Sequence, residues 1–222
     1  MGRPSLSAEA IAANKISIIS AAIEMIRESG IDSVTARSLG SRIGMNSALI
    51  YRYFRDIDEV ILFACVHALQ DYSAAMNDAF HGFESAEEIS DSEIYMTSWE
   101  LFCRHAFSAP DEYRILFFSR HSAALGDIIH EYYELFSPKS SDFDDMILRG
   151  MYRTSDLRKR NLLLLIPVLE SKKSEQDIIM LNDITIAYFH ALLLQLVEKE
   201  HDTDPELQTE RMLKACRYTI AQ

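Results

Sequence analysis

The stretch TARSLGSRIGMNSALIYRYF, Thr35 to Phe54, decides how the chain is read. Leu39 and Ile43 lie four apart in its first half, and Leu49, Ile50, Tyr53 and Phe54 form an apolar stripe in its second, so two short helices are expected. Gly44 lies between them and can take the left-handed conformation that ends one helix and turns the chain. Asn46 can cap the second helix by accepting a backbone N–H of its first turn, or it can read a base edge; its strong N-cap preference favours capping. From Ser33 to Arg55 there are four arginines (Arg37, Arg42, Arg52, Arg55) and no acid, inside a chain of net charge −12. Two helices bent around a glycine and edged with cations and hydroxyls suit a helix-turn-helix, whose second helix can enter a major groove while its flanks hold phosphates.

Outward from this stretch, Ala8 to Ser29 reads as a helix with Ile11, Ile18, Ile19, Ala22 and Ile26 on one face, and Gly30 stops it. Asp32 or Ser33 is expected to cap the next helix. On the other side, Asp56-Ile57-Asp58-Glu59 has capping-box spacing and opens a helix to about Phe80. Ahead of everything, MGRPSLS reads as a short arm: the residue before Pro4 is pushed toward extended geometry, and Arg3 can reach a minor groove or a phosphate. A disordered tail explains the same residues equally well.

With its preceding helix and the following YRYFRDIDEV, this stretch resembles the N-terminal domain of the TetR family of bacterial transcriptional regulators. The resemblance covers roughly the first 65 to 70 residues. It rests on the order Thr35-x-Arg37, Gly44, Asn46-Ser47 and Tyr51-x-Tyr53-Phe54. It implies an all-α protein: a three-helix helix-turn-helix domain in residues 1–57, with a connecting helix continuing to about 80, then a larger helical effector-binding and dimerisation domain in residues 58–222. It also implies a ligand-responsive regulator, usually a repressor, that binds a palindromic DNA operator as a homodimer and is released by a small-molecule effector. Thr35, Tyr51 and Tyr53 are then phosphate contacts, while Arg37, Asn46, Ser47 and Arg52 are candidates for base edges or phosphates. Two positions depart from the family pattern. Ile57 replaces a usual lysine, for which Arg55 can substitute, and Gly40 stands where alanine is usual, which suggests a looser first helix. A second reading, favoured by Ile57 and the acidic body, is a small-molecule-binding or protein-interaction module that has lost specific DNA binding.

The rest of the composition fits. With 222 residues the chain can bury a sizeable core, and seven glycines and five prolines are too few for a turn-rich β fold. Residues 1–57 hold seven basic against five acidic groups, a balance of +2, so the remainder carries −14. An acidic body repels DNA and confines any nucleic-acid contact to the N-terminal module. Cys65, Cys103 and Cys216 are widely spaced and are expected to be buried thiols. The N-terminus lacks a signal-peptide core, and the apolar cluster Ile184 to Val197 is too short to span a bilayer, so no membrane partner and a cytoplasmic location are expected.

In the body, helices are expected from Ser90 to Phe107, Pro110 to Phe118, Ser122 to Phe136, Asp142 to Arg153, Ser155 to Ile166 with Pro167 ending or kinking it, Ser174 to Lys199, and Asp204 to Ala221. The Ser174 helix is apolar nearly all round and must be covered on both sides, so a second copy of the chain is expected against Ile184, Tyr188, Leu192, Leu196, Leu213 and Tyr218. Most body aromatics must fill the core. Trp99, Phe102, Phe117 and Tyr152 are the expected walls of the effector cavity that the resemblance implies, and the acidic surroundings favour a neutral or cationic ligand. Cys103 and His105, two apart on a helix, diverge by about 200° and, with His121, do not converge on a metal. With no nucleophile elbow, phosphate-binding glycine loop or acid/base pair, neither an enzyme nor a cofactor is expected.

Overall fold

The structure, a computed structural model, describes residues 7–84, 89–136, 156–199 and 203–221. Among these it has eleven α-helices and no strand, the all-α architecture of an N-terminal helix-turn-helix followed by a larger helical body. The expected helix from Asp142 to Arg153, Tyr152 and the arm carrying Arg3 lie outside the described residues.

Helix α1, Ala8–Ser29, starts where Ser7 Oγ accepts the Ala10 N–H and stops at Gly30, whose φ of 78° few other residues tolerate. Helix α2 spans Ala36–Arg42, and its cap is neither Asp32 nor Ser33. Those residues form a 3-10 turn, and Thr35 caps instead: its hydroxyl accepts from Ser38 N–H at 3.1 Å, while Ser38 Oγ accepts from Thr35 N–H at 3.0 Å. Helix α3, Ser47–Ile50, is shorter than expected, because Tyr51 to Tyr53 close in turns.

The helix expected from Asp56 to Phe80 is two, α4 (Ile57–Val66) and α5 (Leu69–Glu84). Neither proline nor glycine breaks it. His67 and Ala68 instead make tight i to i−3 bonds to Ala64 and Cys65, and His67 Nδ1 engages Tyr132 Oη at 3.2 Å. Helix α4 is buried on every face from Val60 to Val66 and lies between α1 on one side and α7 (Pro110–Phe118) and α8 (Leu125–Phe136) on the other.

Helix α6, Asp91–Ser108, opens on the expected Ser90–Glu93 capping box. Helix α9, Leu157–Leu169, is capped by Asp156 and runs through Pro167. Proline loses one backbone bond in the last turn, but Leu165, Val168 and Leu169 are buried around it, and packing outweighs the loss. Helix α10, Glu175–Val197, and α11, Pro205–Ile220, begin at Ser174 and Asp204 as expected. By length and hydropathy α10 is long enough to cross a membrane, contrary to the expectation from its apolar cluster alone. It buries Ile186, Phe189, Leu192 and Leu193 against the body and carries a buried Asn182, so it serves as a core helix here.

The body is closed by a ring cluster around Phe102 and Phe189, with Trp99, Phe107, Tyr113 and Phe117 packed at centroid distances between 5.1 and 5.9 Å. Through it runs a buried polar chain: Trp99 Nε1–H donates to Asn161 Oδ1 at 2.9 Å, and Asn161 Nδ2–H donates to Asn182 Oδ1 at 2.8 Å. The three cysteines are buried as expected, and burial pushes the Cys216 thiol up to about 12. Replacing Asn161 by alanine orphans the Trp99 donor and the Asn182 acceptor together. Stability should fall by roughly 2–4 kcal/mol, measured by urea unfolding. A loss below about 0.5 kcal/mol would show that the chain does not hold the three helices.

Candidate nucleic-acid interface and ligand cavity

The turn between α2 and α3 is tight. Gly44 sits at φ 65°, and Met45 N–H reaches back to Gly40 O at 2.8 Å. Gly40 does not loosen α2, as the departure from alanine suggested. A Cβ there would lie 2.6 Å from Met45 O and 3.2 Å from Ser47 N, so the missing side chain is what lets the start of α3 lie against α2. Asn46 is the cap of α3, its Oδ1 accepting Ala48 N–H at 2.9 Å. Ser47 follows, half-buried at the first helical position.

Of the four arginines, Arg42 is spent within the fold. It forms a fork on Glu28 at 2.6 and 2.7 Å and reaches Glu24 at 3.1 Å, which ties α2 to α1 and holds the Glu28 carboxyl below its usual range. Arg55 is exposed, but its Nε lies 3.2 Å from Glu59, which tempers it as a substitute for the lysine missing at Ile57. Arg37 and Arg52 are exposed and have no ion-pair partner among the described residues. Tyr51 is 53% exposed, whereas Tyr53 is half-buried with its hydroxyl accepting from Asn14 Nδ2 at 3.0 Å. Thr35 is exposed but its hydroxyl serves as cap. Thus Thr35, Arg37, Asn46, Tyr51 and Arg52 stand at the surface around one short helix.

The body contains a cavity of about 160 Å³ between α5, α6 and α9. Trp99 and Phe102 are among its walls, while Phe117 lies behind them, its ring 5.6 Å from that of Phe102. Tyr72, Met76, Phe80, Ser98, Arg160 and Asn161, not expected there from the sequence, line it as well. Helix periodicity marks them as inward residues of three separate helices, but nothing in the order of the chain says that the three meet. Among the described residues Arg160 is the one charged group on the lining, a cation in an acidic body.

On the outer surface, Ile184 and Tyr218 are 55% and 71% exposed, while Tyr188, Leu196 and Leu213 are half-buried. Leu192, at 1%, belongs to the chain's own core and offers nothing to a second copy. At the junction of module and body, ligand atoms of Asp56, Asp58 and His121 lie within 4.8 Å of one another. Asp56 is occupied in capping α4, and Asp58 pairs with Arg120. Lys15 of α1 pairs with Glu131 of α8 across the same junction.

A helix-turn-helix with an exposed basic and tyrosine surface is thus set on a helical body that contains an apolar pocket. Residues 18–63 match the model of bacterial regulatory proteins of the tetR family, so the chain carries that family's N-terminal domain. Solved structures share the whole fold. RolR (NCGL1110) in complex with resorcinol is 14% identical over 97% of both chains, with a TM-score of 0.56. Thermus thermophilus FadR, a TetR-family transcriptional repressor in complex with lauroyl-CoA, is 14% identical over 91% of this chain and 93% of its own, with a TM-score of 0.55. A TetR-like transcriptional regulator from Rhodococcus sp. RHA1 is 13% identical over 98% and 99%, with a TM-score of 0.53. Among curated proteins, none matches in sequence.

Gly40→Ala tests the close approach of α2 and α3. Better helix propensity would add up to about 1 kcal/mol, but the contact with a backbone oxygen should outweigh it, for a net loss of about 1–2 kcal/mol in chemical denaturation. A gain in stability would mean that α2 and α3 part easily and that the glycine is incidental.

Proposed function

We propose that the chain is a cytoplasmic transcriptional repressor that binds a palindromic operator as a homodimer and leaves it when a small molecule occupies the body cavity. The observation that carries this reading is the local reversal of charge: Arg37 and Arg52, exposed and without an ion-pair partner among the described residues, share the helix-turn-helix with exposed Tyr51 in a chain of net charge −12. Such a patch attracts phosphates, while the acidic remainder keeps the body off the duplex. Thr35, Tyr51 and Tyr53 would position the module on phosphates, and Arg37, Ser47 and Arg52 would face phosphates or base edges, with Arg55 and Arg3 as flanking charges. Asn46, occupied as a cap, keeps its amide N–H groups for a base.

Resorcinol in one neighbour and lauroyl-CoA in another support a small-molecule effector for this fold. The cavity walled by Trp99 and Phe102 is its proposed seat. Residues 58–222 would then form the effector-binding and dimerisation domain, with Ile184, Tyr188, Leu196, Leu213 and Tyr218 covered by a second copy, related by a two-fold axis that matches the palindrome.

Two measurements test the reading. Tyr51→Ala and Arg52→Ala, both at exposed positions, should each weaken binding to the chain's own upstream DNA by about tenfold in gel shifts, with folding unchanged. Absence of any sequence-preferring binding, or variants that bind as tightly as the parent, would favour the module without specific DNA binding. Ile184→Glu should shift the protein from dimer to monomer in sedimentation and weaken operator binding with it; a parent that sediments as a monomer refutes the homodimer.

A further inference from the structure

The cavity holds an unanswered charge. Arg160 Nη1 is buried and has no hydrogen-bond partner, Nη2 reaches only Tyr72 Oη at a long 3.4 Å, and no carboxylate pairs with the guanidinium among the described residues. Its Cζ lies 6.0 Å from the Phe102 ring centre and 5.8 Å from that of Phe117, which steadies the cation without supplying an acceptor. A second donor on the same lining, Ser98 Oγ, is also buried and unpartnered. Two further polar side chains of the lining are committed, Trp99 Nε1 to Asn161 and Asn161 to Asn182. A buried guanidinium N–H left without an acceptor is costly, so a cavity of this kind favours an occupant that brings one.

We propose that this cavity binds a compact apolar carboxylate, about the size of a single aromatic ring, whose anion pairs with Arg160. This rests on the reading of the cavity as the effector seat and names the ligand class for it. A carboxylate has acceptor positions for both Arg160 and Ser98, and charge-assisted bonds to an arginine are roughly twice as strong as neutral ones. One guanidinium balances one negative charge, which selects a carboxylate over a phosphate dianion. A cation is repelled. Met76, Phe80, Trp99, Phe102 and Leu164 supply an apolar lining for the rest of the molecule. The volume of about 160 Å³ is enough for one ring, since a cavity of about 150 Å³ in a helical protein accommodates benzene.

Trp99 is the chain's single tryptophan and forms the wall, so its fluorescence reports occupancy directly. Benzoate and benzamide have the same shape and differ in charge. At neutral pH benzoate should bind at least about tenfold more tightly than benzamide. Arg160→Gln should erase that difference and leave benzamide affinity unchanged, Arg160→Lys should retain part of it, and Ser98→Ala should lower benzoate affinity. Thermal melts check that each variant is folded. Equal binding of the two compounds, tighter binding of benzamide, a preference surviving in folded Arg160→Gln, or no response of Trp99 to millimolar benzoate would each overturn the proposal. Operator binding is followed separately by fluorescence anisotropy of labelled DNA. Benzoate binding that leaves the operator complex intact upholds the ligand class and refutes the effector reading; release driven equally by benzamide upholds the effector reading and refutes the ligand class.

Discussion

The hydrogen-bonded chain from Trp99 through Asn161 to Asn182 is the constraint on which the body depends. Apolar packing tolerates small slides of one helix along another, but a buried amide with a donor on one neighbour and an acceptor on the next does not. Asn161 therefore fixes the register of α6, α9 and α10 together. That register stands Trp99 upright as a cavity wall and leaves Arg160, the next residue back on α9, at the lining. It also turns Phe189 inward and Ile184 outward on α10.

The module is joined to this body by a helix that has no free face. Helix α4 is buried from Val60 to Val66, with α1 on one side and α7 and α8 on the other. Ion pairs from Lys15 to Glu131 and from Asp58 to Arg120 pin both ends of the contact, and Lys15 also lies over the rings of Phe54 and Phe63. The break at His67–Ala68 separates this buried rod from α5, which carries Tyr72, Met76 and Phe80 to the cavity.

How far the site could be read in the chain varied with how local its causes are. The left-handed Gly44, the Asn46 cap and the capping box at Ser90 depend on neighbours within four residues, and the sequence shows them. Arg42 is one of four arginines in a stretch without acids, yet Glu24 and Glu28 lie one helix away and neutralise it. Gly40 suggested slackness, because the backbone it makes room for belongs to the next helix. Leu192 matched the periodicity of an outer stripe but faces inward, since on a helix apolar nearly all round the period does not say which side is the core.

The chain alone shows that the protein is all-α, where most helices start, and that residues Thr35 to Phe54 form two helices turned at Gly44. These follow from caps, glycines and spacing, which act over a turn or two of chain. Only the tertiary structure decided which charges remain available, where α4 gives way to α5, and what the cavity offers a ligand. Those outcomes depend on groups far apart in sequence: Ser98 and Arg160 are separated by most of three helices, and an acidic body encloses a cationic pocket because net charge says nothing about which single side chain ends up inside.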